Sequence, residues 1–129
     1  MTAVNVRYMV DNVEAAVAFY TTHLHFTVIS KTLPAFADIA RGDLRLLLSG
    51  PTSSAGRPMP DGRRPAPGEW NRIHLIVEDL AAEVERLRAA GVSFRNDIVT
   101  GLGGLQILLD DPSGNPIELF EPTIPEAKL

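Results

Sequence analysis

The residues of this sequence best able to do chemistry are a histidine, a glutamate and several arginines set at strand spacing. His74 lies inside Arg72-Ile73-His74-Leu75-Ile76 and Glu118 inside Ile117-Glu118-Leu119-Phe120. Successive side chains of a strand point to opposite faces, so if Ile117 and Leu119 face a core, Glu118 and Phe120 face away from it. The same rule sets Arg45, Leu47 and Ser49 against Leu46 and Leu48, and it groups Asn5, Arg7 and Met9 on one segment and Arg72, His74 and Ile76 on another. The set holds three arginines, one histidine, one glutamate and an apolar remainder. Guanidinium groups hold carboxylates or phenolates, and Phe120 or Trp70 can stack on a ring, so the chemistry suits an anionic or polyhydroxylated aromatic molecule. Two other uses stay open: His74 and Glu118 as an acid/base pair, and Arg7 and Glu118 as a simple charge pair.

Other chemistries find little support. With no cysteine among 129 residues, the chain offers no disulfide, thiolate metal site or nucleophilic thiol. There is no GxSxG elbow, and Gly101-Leu102-Gly103-Gly104 follows a strand without opening a helix, which makes it a hairpin turn rather than a phosphate cradle. His23 and His25 stand at the end of a helix and in the turn after it, where they meet free carbonyls or solvent. A net charge of −4, a pI near 5.3 and scattered basic residues argue against nucleic acid as a partner; Gly62-Arg63-Arg64-Pro65 is too short a basic patch. No apolar run approaches the roughly 20 residues that span a bilayer, and the opening residues lack the pattern of an export signal. The expectation is a cytoplasmic protein whose partner is a small molecule.

The elements that must position these side chains read as follows. Residues 4–10 form a strand, Asp11-Asn12 offers an N-cap, and Val13, Val17, Tyr20 and Leu24 mark the core stripe of a helix. Strands follow at 26–32, 36–40 and 44–49. Residues 50–69 hold five of the ten prolines and four of the ten glycines, a composition that makes a connecting loop. The order then repeats: a strand at 70–77, an N-cap at Asp79, a helix marked by Leu80, Val84 and Leu87 and stopped by Gly91, then strands at 94–100, 105–109 and 116–121. An offset of 67 residues lays Val10 on Val77, Ala15 on Ala82 and Val17 on Val84, which is an internal repeat.

Three stretches, VRYMVDNVEAAVAFYTTHLHFTV, IHLIVEDLAAEVERLRAAGV and DPSGNPIELFEP, resemble the vicinal oxygen chelate superfamily, which includes glyoxalase I, extradiol dioxygenases and bleomycin-resistance proteins. With the repeat, the resemblance covers residues 4–122. It implies an α+β fold: one domain of two βαβββ modules, at 4–49 and 70–122, whose sheets curl into half-barrels around an open cleft. In that superfamily four cleft positions, two per module, typically hold a divalent metal. The resemblance assigns His74 and Glu118 to the second module's pair, and the repeat carries these to Arg7 and Leu47 in the first, neither a usable ligand.

A catalytic zinc site and a two-His-one-carboxylate iron site each need three protein ligands, so no cofactor is expected; zinc, nickel, iron or manganese would have only His74 and Glu118. The resemblance thus implies a bleomycin-resistance-like protein that binds a small anionic or aromatic molecule through Asn5, Arg7, Arg45, Leu47, Ser49, Trp70, Arg72, His74, Glu118 and Phe120. The alternative is an enzyme, a lyase or isomerase like lactoylglutathione lyase or a dioxygenase, working with a weakly held divalent metal or with His74 and Glu118 as an acid/base pair. Two-module members commonly pair, which implies a homodimer.

Overall fold

The computed structural model describes residues 2–128. They divide into two compact units, one reaching to Gly68 and taking in Pro112–Gly114, the other formed by Glu69–Asp111 and the chain from Asn115 on.

The first unit runs β1 (Val6–Met9), α1 (Val13–His23), β2 (Thr27–Thr32), β3 (Phe36–Arg41) and β4 (Leu44–Ser49). Its strands form an open mixed sheet in the order β1-β4-β3-β2, with β1 parallel to β4 and the other neighbours antiparallel. Asn12 caps α1 by accepting the Ala15 N–H at 3.0 Å. Helix α1 packs on β2, β3 and β4. The buried set is Val13, Ala16, Tyr20 and Leu24 from the helical segment with Tyr8, Ala37, Ile39, Leu46 and Leu48 from the sheet. Ala16 takes the fully buried place expected for Val17, which is half-buried. Positions i+3 and i+4 flank the same helical stripe, and the small side chain is the one that lets the helix approach closely. Gly50 allows the same approach at the helix start, because a Cβ there would lie 3.0 Å from Val13 Cγ2.

The second unit repeats the order with β5 (Ile73–Ile76), α2 (Leu80–Ala89), β6 (Val99–Thr100), β7 (Gly104–Asp110) and β8 (Pro116–Pro122). Its sheet order is β5-β8-β7-β6, again with the first strand parallel to the last and the sheet open. Shifting β1 by 67 residues gives β5, and the same shift carries the cap Asn12 to Asp79, which accepts the Ala82 N–H at 3.1 Å. Leu80, Val84 and Leu87 are buried, as are Ile73, Leu75, Ile107, Leu109, Ile117 and Leu119 of the sheet, and α2 packs on β8. Both units are therefore βαβββ modules with an apolar face under the helix and a second face free of it.

One expected strand is largely missing. Of residues 94–100 only Val99–Thr100 pairs in the ladder, while Phe94 makes a single bridge to Leu109. Asn96 explains the interruption: its side-chain Oδ1 accepts the Leu108 N–H at 2.9 Å, a donor that a neighbouring strand's carbonyl would otherwise receive. Strands 4–10 and 70–77 are shorter than expected, although Val10 N–H still reaches the Ser49 carbonyl and Val77 N–H the Phe120 carbonyl. Residues 50–69 contain one 3₁₀ turn, Ser54–Gly56, and no strand. No helix among the described residues is long and apolar enough to cross a membrane.

Candidate functional site

In the second unit the parallel register of β5 and β8 sets His74 beside Glu118 and Ile76 beside Phe120, on the face away from α2. Arg72, just before β5, donates from Nε and Nη2 to Glu118 Oε1 at 3.1 and 3.0 Å. His74 Nε2 stands 3.4 Å from the other oxygen, Oε2. The Glu118 side chain is 10% exposed and the His74 side chain 46% exposed, so the carboxylate is an inner support and the imidazole its outer, reachable end. The His74 ring lies 4.8 Å from that of Phe120, centroid to centroid. This arrangement fixes an imidazole against an aromatic wall, where it can donate or accept a hydrogen bond or a proton.

In the first unit the matching ladder sets Arg7 beside Leu47 and Met9 beside Ser49. Arg7 Nη1 donates to the buried Ser49 Oγ at 2.9 Å. Within its own unit each group finds a partner: Glu118 takes Arg72 and His74, and Arg7 takes Ser49. The parallel register puts acid and imidazole of the second unit on the same rung, and Arg72, two residues before His74, reaches the carboxylate from beside it.

Arg45 is bound by Asp38, a buried acid of β3 that period-two reading of the candidate face passed over. Arg45 Nε donates to Asp38 Oδ1 at 3.2 Å and Nη2 to Oδ2. That hydrogen bond, and then the carboxylate's charge, raise the Arg45 pKa above its ordinary value. The signal for Asp38 was present: an acid inside Phe-Ala-Asp-Ile-Ala, one tight hairpin away from an arginine.

Trp70 is 64% exposed, and the Arg95 guanidinium sits 4.8 Å from its ring centroid. Arg95 itself is held by Asp110 at 2.7 Å and by the Glu69 carbonyl at 2.7 Å. The tryptophan thus stacks on a fixed cation. Asn5 precedes β1 and is exposed. His23 closes the last turn of α1 with its ring 5.5 Å from Phe19, and His25 follows in a left-handed conformation with φ of 60°.

The positions that the resemblance assigns to a metal differ in donor chemistry between the two units. Arg7 and Leu47 offer a cation no lone pair, and the Glu118 carboxylate is already the acceptor of Arg72 and the neighbour of His74. Among the described residues no three His, Asp or Glu side chains converge on a point that could hold a metal ion. Neither unit by itself supplies the roughly three protein ligands that a catalytic dication needs.

A family model described as Glyoxalase/Bleomycin resistance protein/Dioxygenase superfamily matches residues 3–119. No curated protein matches the sequence. Among solved structures, the chain is similar to a lactoylglutathione lyase from Agrobacterium tumefaciens at 22% identity and a TM-score of 0.70, covering 94% of each chain. It is similar to an antibiotic binding protein from Streptomyces sp. CB03234 at 24% identity and a TM-score of 0.69, covering 95% of this chain and 99% of that one. It is also similar to a fosfomycin resistance protein from Listeria monocytogenes at 16% identity and a TM-score of 0.73, covering 100% of this chain and 98% of that one. At these identities the likeness is one of fold.

Proposed function

The chain belongs to the Glyoxalase/Bleomycin resistance protein/Dioxygenase superfamily, and on that premise we propose that it binds a small anionic or aromatic molecule without the help of a divalent metal. The observation that carries this reading is the replacement of ligand chemistry by guanidinium chemistry: Arg7 stands at the ladder position that matches His74, and Arg72 occupies the carboxylate of Glu118. A guanidinium keeps its charge at any ordinary pH, repels a dication and attracts an anion. Within the second unit His74 and Phe120 are then ligand contacts, while Asp38 in the first unit and Glu118 in the second serve to orient arginines. The similarity in fold to an antibiotic binding protein supports a binding role for such a chain.

A second reading is favoured by one contact, His74 Nε2 at 3.4 Å from Glu118 Oε2. In it the carboxylate orients the imidazole, and His74 passes a proton to or from the bound molecule, as in a metal-free lyase or isomerase. We further infer a homodimer in the cytoplasm, since each open sheet leaves edge strands that a second copy can cover; light scattering at micromolar concentration should return twice the 14.0 kDa chain mass.

The test is a thermal-shift screen of small aromatic and aliphatic acids against protein freed of metal with a chelator. Compounds that raise the melting temperature in chelator, and are recovered chemically unchanged after incubation, support the binding reading. Recovery of an altered compound supports the enzyme reading, and stabilisation that needs added metal overturns both.

A further inference from the structure

Arginines on the helix-free faces of the two sheets are matched by acids, with one exception. Arg45 has Asp38, Arg72 has Glu118 and Arg95 has Asp110. Arg7 is held by a neutral hydroxyl, that of Ser49, and has no carboxylate partner among the described residues. It also opens onto a pocket of about 430 Å³ in the first unit. Phe36 forms one wall, Thr32 stands at the end of β2, and Thr52 and Ser54 come from the segment after β4. Arg7 is the only charged side chain lining the pocket. The ladder explains why these residues meet: Ser49 pairs with Phe36, and Phe36 pairs with Thr32, so one row across the sheet carries the hydroxyl that tethers Arg7, the aromatic wall and a threonine.

We propose that this pocket is a carboxylate subsite, in which Arg7 takes the carboxylate of an aromatic acid and Phe36 takes its ring. The proposal rests on the binding reading above and gives it a place and a ligand class. Ser49 engages one guanidinium N–H and fixes the plane of the group, which leaves further donors for a two-pronged contact with a planar carboxylate. A single fixed charge matches a monoanion; a phosphate dianion would bring a second charge with nothing to meet it. The hydroxyls of Thr32, Thr52 and Ser54 make no hydrogen bond within the described residues and can donate to carboxylate oxygens or to ring hydroxyls. The volume lies within the range of small-molecule sites.

The probe is 2-naphthoate, titrated by calorimetry into chelator-treated protein, with amide chemical shifts recorded in parallel. Binding should shift the amides of Thr32, Phe36, Thr52 and Ser54. Loss of a charge-assisted contact should weaken binding about tenfold or more, both in Arg7→Gln and for the neutral isostere 2-naphthamide. Phe36→Ala should weaken it about threefold or more through loss of ring contact. Arg64→Gln, which removes one exposed positive charge from the same unit, should leave affinity within about twofold, since exposed charges are screened. Arg7→Lys keeps the charge without the fork and should fall between wild type and Arg7→Gln, and melting curves verify that each variant is folded. Equal affinity for naphthoate in wild type and Arg7→Gln, or equal affinity for the amide, overturns the subsite while leaving the binding reading intact. So does failure of naphthoate to bind when other compounds of the acid screen do. Binding of naphthoate only after zinc is added overturns the metal-free reading itself.

Discussion

Arg72 grips one oxygen of Glu118 from two nitrogens, at 3.1 and 3.0 Å, and so leaves the second oxygen for His74. The carboxylate is nearly enclosed, so its charge needs this partner more than the arginine does. Arg72→Ala should destabilise the protein by about 1–3 kcal/mol, the range for stranding a mostly buried charged acceptor. Arg72→Lys should recover only part of the loss, because an ammonium cannot present two nitrogens to one oxygen. Urea denaturation of the two variants measures both effects; equal stability of wild type and Arg72→Ala would mean that Glu118 is satisfied without Arg72.

The Asp38–Arg45 pair should respond asymmetrically. Asp38 is 8% exposed at its side chain and Arg45 46%. Removing the arginine strands a buried acid, while removing the acid leaves a guanidinium that water can solvate. Arg45→Ala should therefore lower stability more than Asp38→Asn does. A larger loss in Asp38→Asn than in Arg45→Ala, read from denaturation midpoints, would contradict this.

The two helix caps, Asn12 and Asp79, occupy equivalent places in the repeat and each accepts one N–H three residues on. Asn12→Ala and Asp79→Ala should each cost about 1 kcal/mol, and the double variant should show the sum within about 0.5 kcal/mol because the sites share no partner. Thermal melts of the three variants check this, and a loss much larger than the sum would show that the helices unfold each other's support.

Much of this architecture is legible in the amino-acid sequence, and the reason is periodicity. Leu80, Val84 and Leu87 repeat at helical spacing, and the alternation through Ile117, Glu118, Leu119 and Phe120 separates core from site. The order of strands and helices in both units follows from that pattern together with the repeat, while the family is legible through the resemblance of three stretches, DPSGNPIELFEP among them. What local pattern cannot carry is choice of partner. Residues 94–100 have strand composition, yet the Asn96 side chain takes the Leu108 N–H and breaks the pairing. Glu118 could have met any of several arginines; Arg72 wins through a parallel register between segments 46 residues apart. Asp38 escaped notice because an acid in an apolar strand reads as an outward residue until its arginine is located across the hairpin.

The central claim, that ligand binding here does not use a divalent metal, meets its most direct test in a calorimetric titration of chelator-treated protein with zinc, nickel, manganese and iron(II). Two protein donors, one of them already engaged by Arg72, should give no binding tighter than about millimolar. Binding in the micromolar range to wild-type protein that disappears in His74→Ala or Glu118→Ala would contradict the account.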